Sequence, residues 1–162
     1  MTRKKILRLA TLVIFLFAAA CSVSKEGRTM KHTINGKWTL QSVDVQGING
    51  KIATTVFNEA DIKCFNGSTW TFISNNSLGT YQLSSAAGCP SVTRNIRWSV
   101  YEPKGEEKKF QFKRLDEKRN PMDDNDGYRL SVASLSDTNM QLTSAITFEG
   151  KPATIVYNFV KN

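Results

Sequence analysis

The chain has 162 residues, with 22 Lys and Arg against 14 Asp and Glu, a formal net charge of +8, three cysteines and one histidine. Four of the basic residues lie in the first twenty, leaving 18 against 14 and a net of +4 for the rest, an ordinary solvated surface. Basic residues do not cluster in a nucleic-acid motif: the densest stretch, Lys108, Lys109, Lys113 and Arg114, follows Glu106 and Glu107 and reads as a mixed strand surface, so nucleic-acid binding is excluded as a working function.

In chain order, the first element is a signal. Arg3, Lys4, Lys5 and Arg8 precede an apolar run from Leu9 to Ala20, broken by Thr11. About twelve helical residues rise roughly 18 Å, short of the ~30 Å hydrocarbon core, so the run reads as a signal-peptide core and not as a span. Phe17-Ala18-Ala19-Ala20-Cys21 resembles a bacterial lipobox, with Ala18 where Leu is usual. Residues 1–20 are therefore expected to be removed and Cys21 to be lipidated, making the membrane a partner through the N-terminal lipid. Cleavage near Ala20 by an ordinary signal peptidase is the alternative. Ser22, where an Asp would resemble an inner-membrane retention signal, favours the outer membrane of a cell envelope.

Residues 21–34 carry little apolar content and read as a lipidated N-terminus and flexible tether, with a single domain over 35–162. Cys64 and Cys89 are the cysteines left after lipidation, and an oxidising compartment predicts a disulfide between them. Zinc is the weaker reading, because two cysteines and a distant His32 do not make a site. Asp123 to Gly127 superficially suggests calcium. With Gly127 at the sixth loop position, Met122 and Ala133 would fall where acids are required, so it reads as a solvated acidic hairpin loop.

From Gly36 onward the period is two. Apolar residues alternate with polar ones at Trp38–Leu40, Trp70–Phe72, Tyr81–Leu83, Ile96–Trp98–Val100, Phe110–Phe112, Tyr128–Leu130–Val132, Met140–Leu142 through Ile146 and Phe148, and Ile155–Tyr157–Phe159. Eight one-sided segments predict antiparallel strands with one wet face. Turn residues separate them at Asn75-Asn76, Asp126-Gly127, Asp137 to Asn139 and Glu149-Gly150. Sequential hairpins of eight strands favour an all-β, up-and-down closed barrel, which leaves no exposed edge. Val45 to Cys64 breaks the alternation, with Phe57 and Ile62 as apolar anchors, and fits a lid, a short helix or an extra edge segment.

Gly36-Lys37-Trp38, the run Cys64-Phe65-Asn66-Gly67-Ser68-Thr69-Trp70-Thr71-Phe72, Gly79-Thr80-Tyr81 and Cys89 together resemble the lipocalin-like lipoproteins common in Bacteroidetes, over roughly 34–162. The later lipocalin motifs are absent. The resemblance implies an eight-stranded barrel with Trp38 closing its floor. Trp38, Trp70, Phe72, Tyr81, Trp98, Phe110, Phe112, Tyr128 and Tyr157 would point inward, lining either a cup for a small hydrophobic or amphipathic ligand or a filled core. The function expected is that of a membrane-anchored barrel binding such a ligand; the alternative is a filled-core barrel acting as an envelope protein-interaction or inhibitor module. His32 has no fixed nucleophile beside it, and no nucleophile elbow or phosphate loop is present, so no enzyme activity, cofactor or metal is expected.

Overall fold

The computed structural model describes residues 23–48 and 54–162. The signal segment and Cys21 lie outside the described residues. Among the described residues one α-helix, α1 (Lys25–Ile34), precedes ten strands: β1 (Gly36–Gln46), β2 (Thr55–Val56), β3 (Ala60–Asp61), β4 (Ser68–Ile73), β5 (Leu78–Gln82), β6 (Thr93–Tyr101), β7 (Lys109–Leu115), β8 (Tyr128–Leu135), β9 (Asn139–Phe148) and β10 (Lys151–Lys161). Eight of them close a barrel in the order β1-β10-β9-β8-β7-β6-β5-β4, every pairing antiparallel. The all-β up-and-down barrel expected from the eight alternating segments is the fold, and each segment falls on one barrel strand.

Side chains alternate across each strand, so one polar/apolar phase per strand decides which face is wet. Two register shifts, at Leu40/Ser42 and Val132/Ser134, add a residue and bend the wall. In β1 the shift moves the inward phase from Trp38 and Leu40 to Val43. Gly79 faces Phe72 and Ile96 across β5. A Cβ there would lie 2.3 Å from the Thr71 carbonyl oxygen, so the position admits no side chain.

The N-terminal segment departs from its expectation as a tether. Residues 25–34 form α1, which closes the barrel at what we term the floor. Ser24 caps the helix by accepting from the Gly27 amide at 2.9 Å. Its amide and hydroxyl both donate to Glu102, at 3.0 and 2.7 Å. Gly27, Met30, Lys31 and Ile34, at helical spacing, face the barrel, and the Trp38 indole donates to the Ile34 carbonyl at 2.8 Å. A ten-residue helix is marginal alone. Docking holds this one, and docking is a tertiary contact that local polarity does not reveal.

At the opposite end, the mouth, the connection from β1 to β4 folds back as a two-stranded hairpin, β2–β3, and a 3-10 turn, Ile62–Phe65. This supplies the lid and the short helix that the broken alternation allowed. The Cys64–Cys89 disulfide ties it to the connection after β5, bearing out the predicted pairing. Its 25-residue separation gives about 3 kcal/mol in the chain-entropy account. The Cys64→Ser, Cys89→Ser double variant should therefore melt about 10 °C lower in a calorimetric scan. Thiol titration of the unfolded, unreduced mature chain should find no free thiol.

Candidate functional site

Every predicted lining residue except Tyr128 is at most 2 % exposed, and all nine meet inside one barrel. Tyr128 sits half-buried at the mouth. Trp70 stacks on Tyr81 with ring centroids 4.6 Å apart. Trp98 reaches them through Phe72, which lies 6.0 Å from Trp70 and 5.4 Å from Trp98. Phe110 and Phe112 continue the chain of rings to Tyr128. These are offset and edge-to-face contacts at the separations aromatic pairs favour.

The centre of this cluster is not a strand residue. Phe57, at the tip of the β2–β3 lid, projects into the barrel and touches Phe65, Trp70, Phe112, Tyr128 and Tyr157 at 4.9–6.2 Å. It stands where a ligand would stand in an open cup. Phe57 and Asn58 hold φ of 54° and 48°, the left-handed region that non-glycine residues seldom occupy. The lid tip is thus bent tightly to seat the ring.

Immediately above the rings lies a charged clasp. Arg114 is 4 % exposed and faces inward in phase with Phe110 and Phe112. Its guanidinium donates to the Glu59 carboxylate at 2.9 Å, to the Asn58 carbonyl at 3.0 Å and, through Nε and Nη2, to Asp123. Arg94 binds Glu59 bidentately at 2.9 and 2.7 Å, and Tyr81 donates to the same carboxylate at 2.7 Å. Tyr128 donates to Asp123 at 3.2 Å. Glu59 comes from the lid, Asp123 from the loop between β7 and β8, and the two arginines from the wall. Among the described residues no buried side-chain polar atom lacks a partner.

Two sequence readings are corrected here. Arg114 is not part of a strand surface, and Asp123 is not in a freely solvated loop, since it ion-pairs with Arg114. Period two contained the signal: Arg94–Ile96–Trp98 and Phe110–Phe112–Arg114 place both arginines on the apolar phase. Nothing local marked Glu59, whose role depends on where the lid folds. Residues 49–53 lie outside the described residues.

The electrostatics follow from the pairing. Burial pushes the Glu59 carboxyl up, but hydrogen bonds from Arg94, Tyr81 and Arg114 outweigh it and hold it below the usual range. Asp123 is likewise held low, chiefly by Arg114. Burial pushes Tyr128 up to about 12, and burial with the Glu59 contact raises Tyr81 further. All these groups thus keep one charge state at neutral pH, which suits a structural fastening better than proton transfer.

Clefts of about 570 and 780 Å³ are lined by outward residues of the β6–β8 wall and by α1 with the β8–β9 turn. No helix among the described residues is long and apolar enough to cross a membrane, and none of their His, Cys, Asp and Glu side chains group as a metal site. Comparison with protein-family models, curated proteins and solved structures finds no match for this chain.

Two lowered carboxyls make a signed prediction. Their contribution is complete above the ordinary carboxylate range and is lost as pH falls through the folded-state values. Chemical-denaturation stability should therefore be level above about pH 5 and decline below it. In Glu59→Gln that acid limb should shrink. Arg114→Met, which strands Asp123 and part of Glu59, should cost about 2–3 kcal/mol, between the values for exposed and fully buried pairs because Asp123 and Arg94 retain some solvent.

Proposed function

We propose that this is an envelope lipoprotein with a lipocalin-like barrel, anchored through Cys21, that works as a protein-interaction or inhibitor module and not as a carrier or an enzyme. The observation that carries the reading is Phe57: the space a carrier reserves for its ligand is filled by the chain's own ring, packed against five others. The disulfide and the Glu59–Arg94–Arg114–Asp123 clasp then fasten the mouth loops to one another and to the wall. Loops held in one shape lose little entropy on meeting a partner, which favours recognition by a rigid surface.

Carriage of a small hydrophobic ligand is the second reading, favoured by the left-handed backbone at Phe57 and Asn58. Strain at a lid tip is relieved when the lid lifts, and a lifted lid would leave a cup lined by Trp70, Phe112 and Tyr157.

Native mass spectrometry of the mature domain separates the two. The interaction reading expects the bare polypeptide mass and no quenching of Trp emission by an apolar fluorophore. A co-purified ligand, or saturable quenching in the unaltered protein, would establish carriage. Phe57→Ala is informative in either case: it should lose about 3–5 kcal/mol and open a dry cavity that now admits a small apolar probe. The anchor is tested separately, since Cys21→Ser should release the protein from the membrane fraction and abolish the mass increment of the acyl chains.

A further inference from the structure

The outer wall of β6, β7 and β8 carries an arrangement that the packing of the barrel does not require. Register sets Arg97 directly opposite Lys113, and Gln111 opposite both Ser99 and Arg129, all on the outward phase. Arg97 makes no hydrogen bond or ion pair with any described residue, and Arg129 has no carboxylate partner among them. These side chains line a cleft of about 570 Å³ together with Ser77, Asp126 and Gly127. Asp126 is the one carboxylate among the described residues that line it.

The cleft is built as well as charged. Arg129 lies 4.2 Å over the Tyr101 ring and donates to the Gln111 side-chain oxygen at 3.2 Å, which holds its guanidinium in place. Gln111 in turn donates to the Ser99 hydroxyl at 2.8 Å. Lys31 of α1 extends to the Ser77 hydroxyl at 2.7 Å, bringing another cation to the floor end of the wall. Gly127 leaves the rim low: a Cβ there would come within 3.1 Å of both the Lys113 side chain and the Phe112 carbonyl.

We infer that this cleft binds the phosphate group of a phosphate-bearing ligand, with Arg97 and Arg129 as its principal donors. A guanidinium offers a planar pair of N–H groups that matches two phosphate oxygens, and it is weakly hydrated, so it surrenders water readily. A bound dianion supplies Arg97 and Arg129 with a counter-charge that neither finds among the described residues. The volume suits a phosphate with a small organic group attached, whether a soluble phosphorylated compound or a lipid headgroup.

The test uses the full chain carrying Cys21→Ser, so that no acyl chain contributes. Titration with inorganic phosphate, followed by amide and arginine Nε–H resonances, should give saturable shifts at residues 97–99, 111–113 and 127–129 that weaken with added salt. Arg97→Gln and Arg129→Gln should each weaken binding about tenfold, the loss of one charge-assisted contact. Lys151→Gln, at the start of β10, should leave it unchanged. Arg97→Gln should also melt no lower than the parent at low ionic strength, which excludes unfolding as the cause. Co-sedimentation with phosphatidylcholine vesicles, with and without phosphatidylglycerol, distinguishes the sources: capture that depends on phosphatidylglycerol and on both arginines assigns the phosphate to a lipid headgroup, and phosphate binding without such capture assigns it to a soluble compound. No saturable shift with phosphate, or shifts that persist in the Arg97→Gln, Arg129→Gln double variant, would overturn the assignment.

Discussion

A guanidinium inside a β-barrel must find its counter-charges there, and Arg114 finds them on two different loops. Strand β7 carries it to the mouth on the same phase as Phe110 and Phe112, so its charge cannot reach bulk water without breaking the alternation of the whole strand. An unpaired charge in that position would cost several kcal/mol. Glu59 from the lid and Asp123 from the loop after β7 meet that demand, and Arg94 and Tyr81 complete the coordination of Glu59. The position of the lid is therefore dictated from below, by a strand residue, as much as by the lid's own sequence.

Once Glu59 is held, Phe57 is two residues away on a tight bend and has one place to go. Its ring enters the space between Trp70, Phe112 and Tyr157 and completes an aromatic column from floor to mouth. Charge pairing above and ring packing below are thus one mechanism seen at two levels. The disulfide adds a covalent tie from Cys64, at the other end of the lid, to Cys89 on the neighbouring loop. The floor is closed by comparable means with weaker parts, a helix cap, a carboxylate grip by Glu102 and one indole hydrogen bond from Trp38. With α1 packed at the floor, the clasped lid at the mouth and aromatic rings between them, both proposals place binding on the outer surface and the loops.

Much of this was legible in the residue order. Alternation from Trp38 to Phe159 marked the eight barrel strands, turn residues marked most of the hairpins, and the aromatic residues named from their phase lie inside, joined there by Phe57, Phe65 and Phe159. The Cys64–Cys89 pairing followed from the count of cysteines once Cys21 was assigned elsewhere. Other readings, besides that of Asp123, went the other way. Residues 25–34 look like a tether because only Met30 and Ile34 are large and apolar, and a helix that short exists through its contacts with Glu102 and Trp38. Arg114 was grouped with its charged neighbours in sequence, although its phase belonged with Phe112.

What the sequence determined alone is what depends on neighbours one or two positions apart: strand phase, turn chemistry and the inward face, because side-chain direction in a strand has a period of two wherever the strand lies in space. Tertiary structure decided everything that joins residues far apart in the chain. Whether the barrel is a cup or a packed core turned on Phe57 reaching rings on β4, β7 and β10. Whether Arg114 is a surface charge or a clasp turned on Glu59, 55 positions away. Such contacts form only after the wall has closed and set the distance between its loops, and no local pattern records that distance.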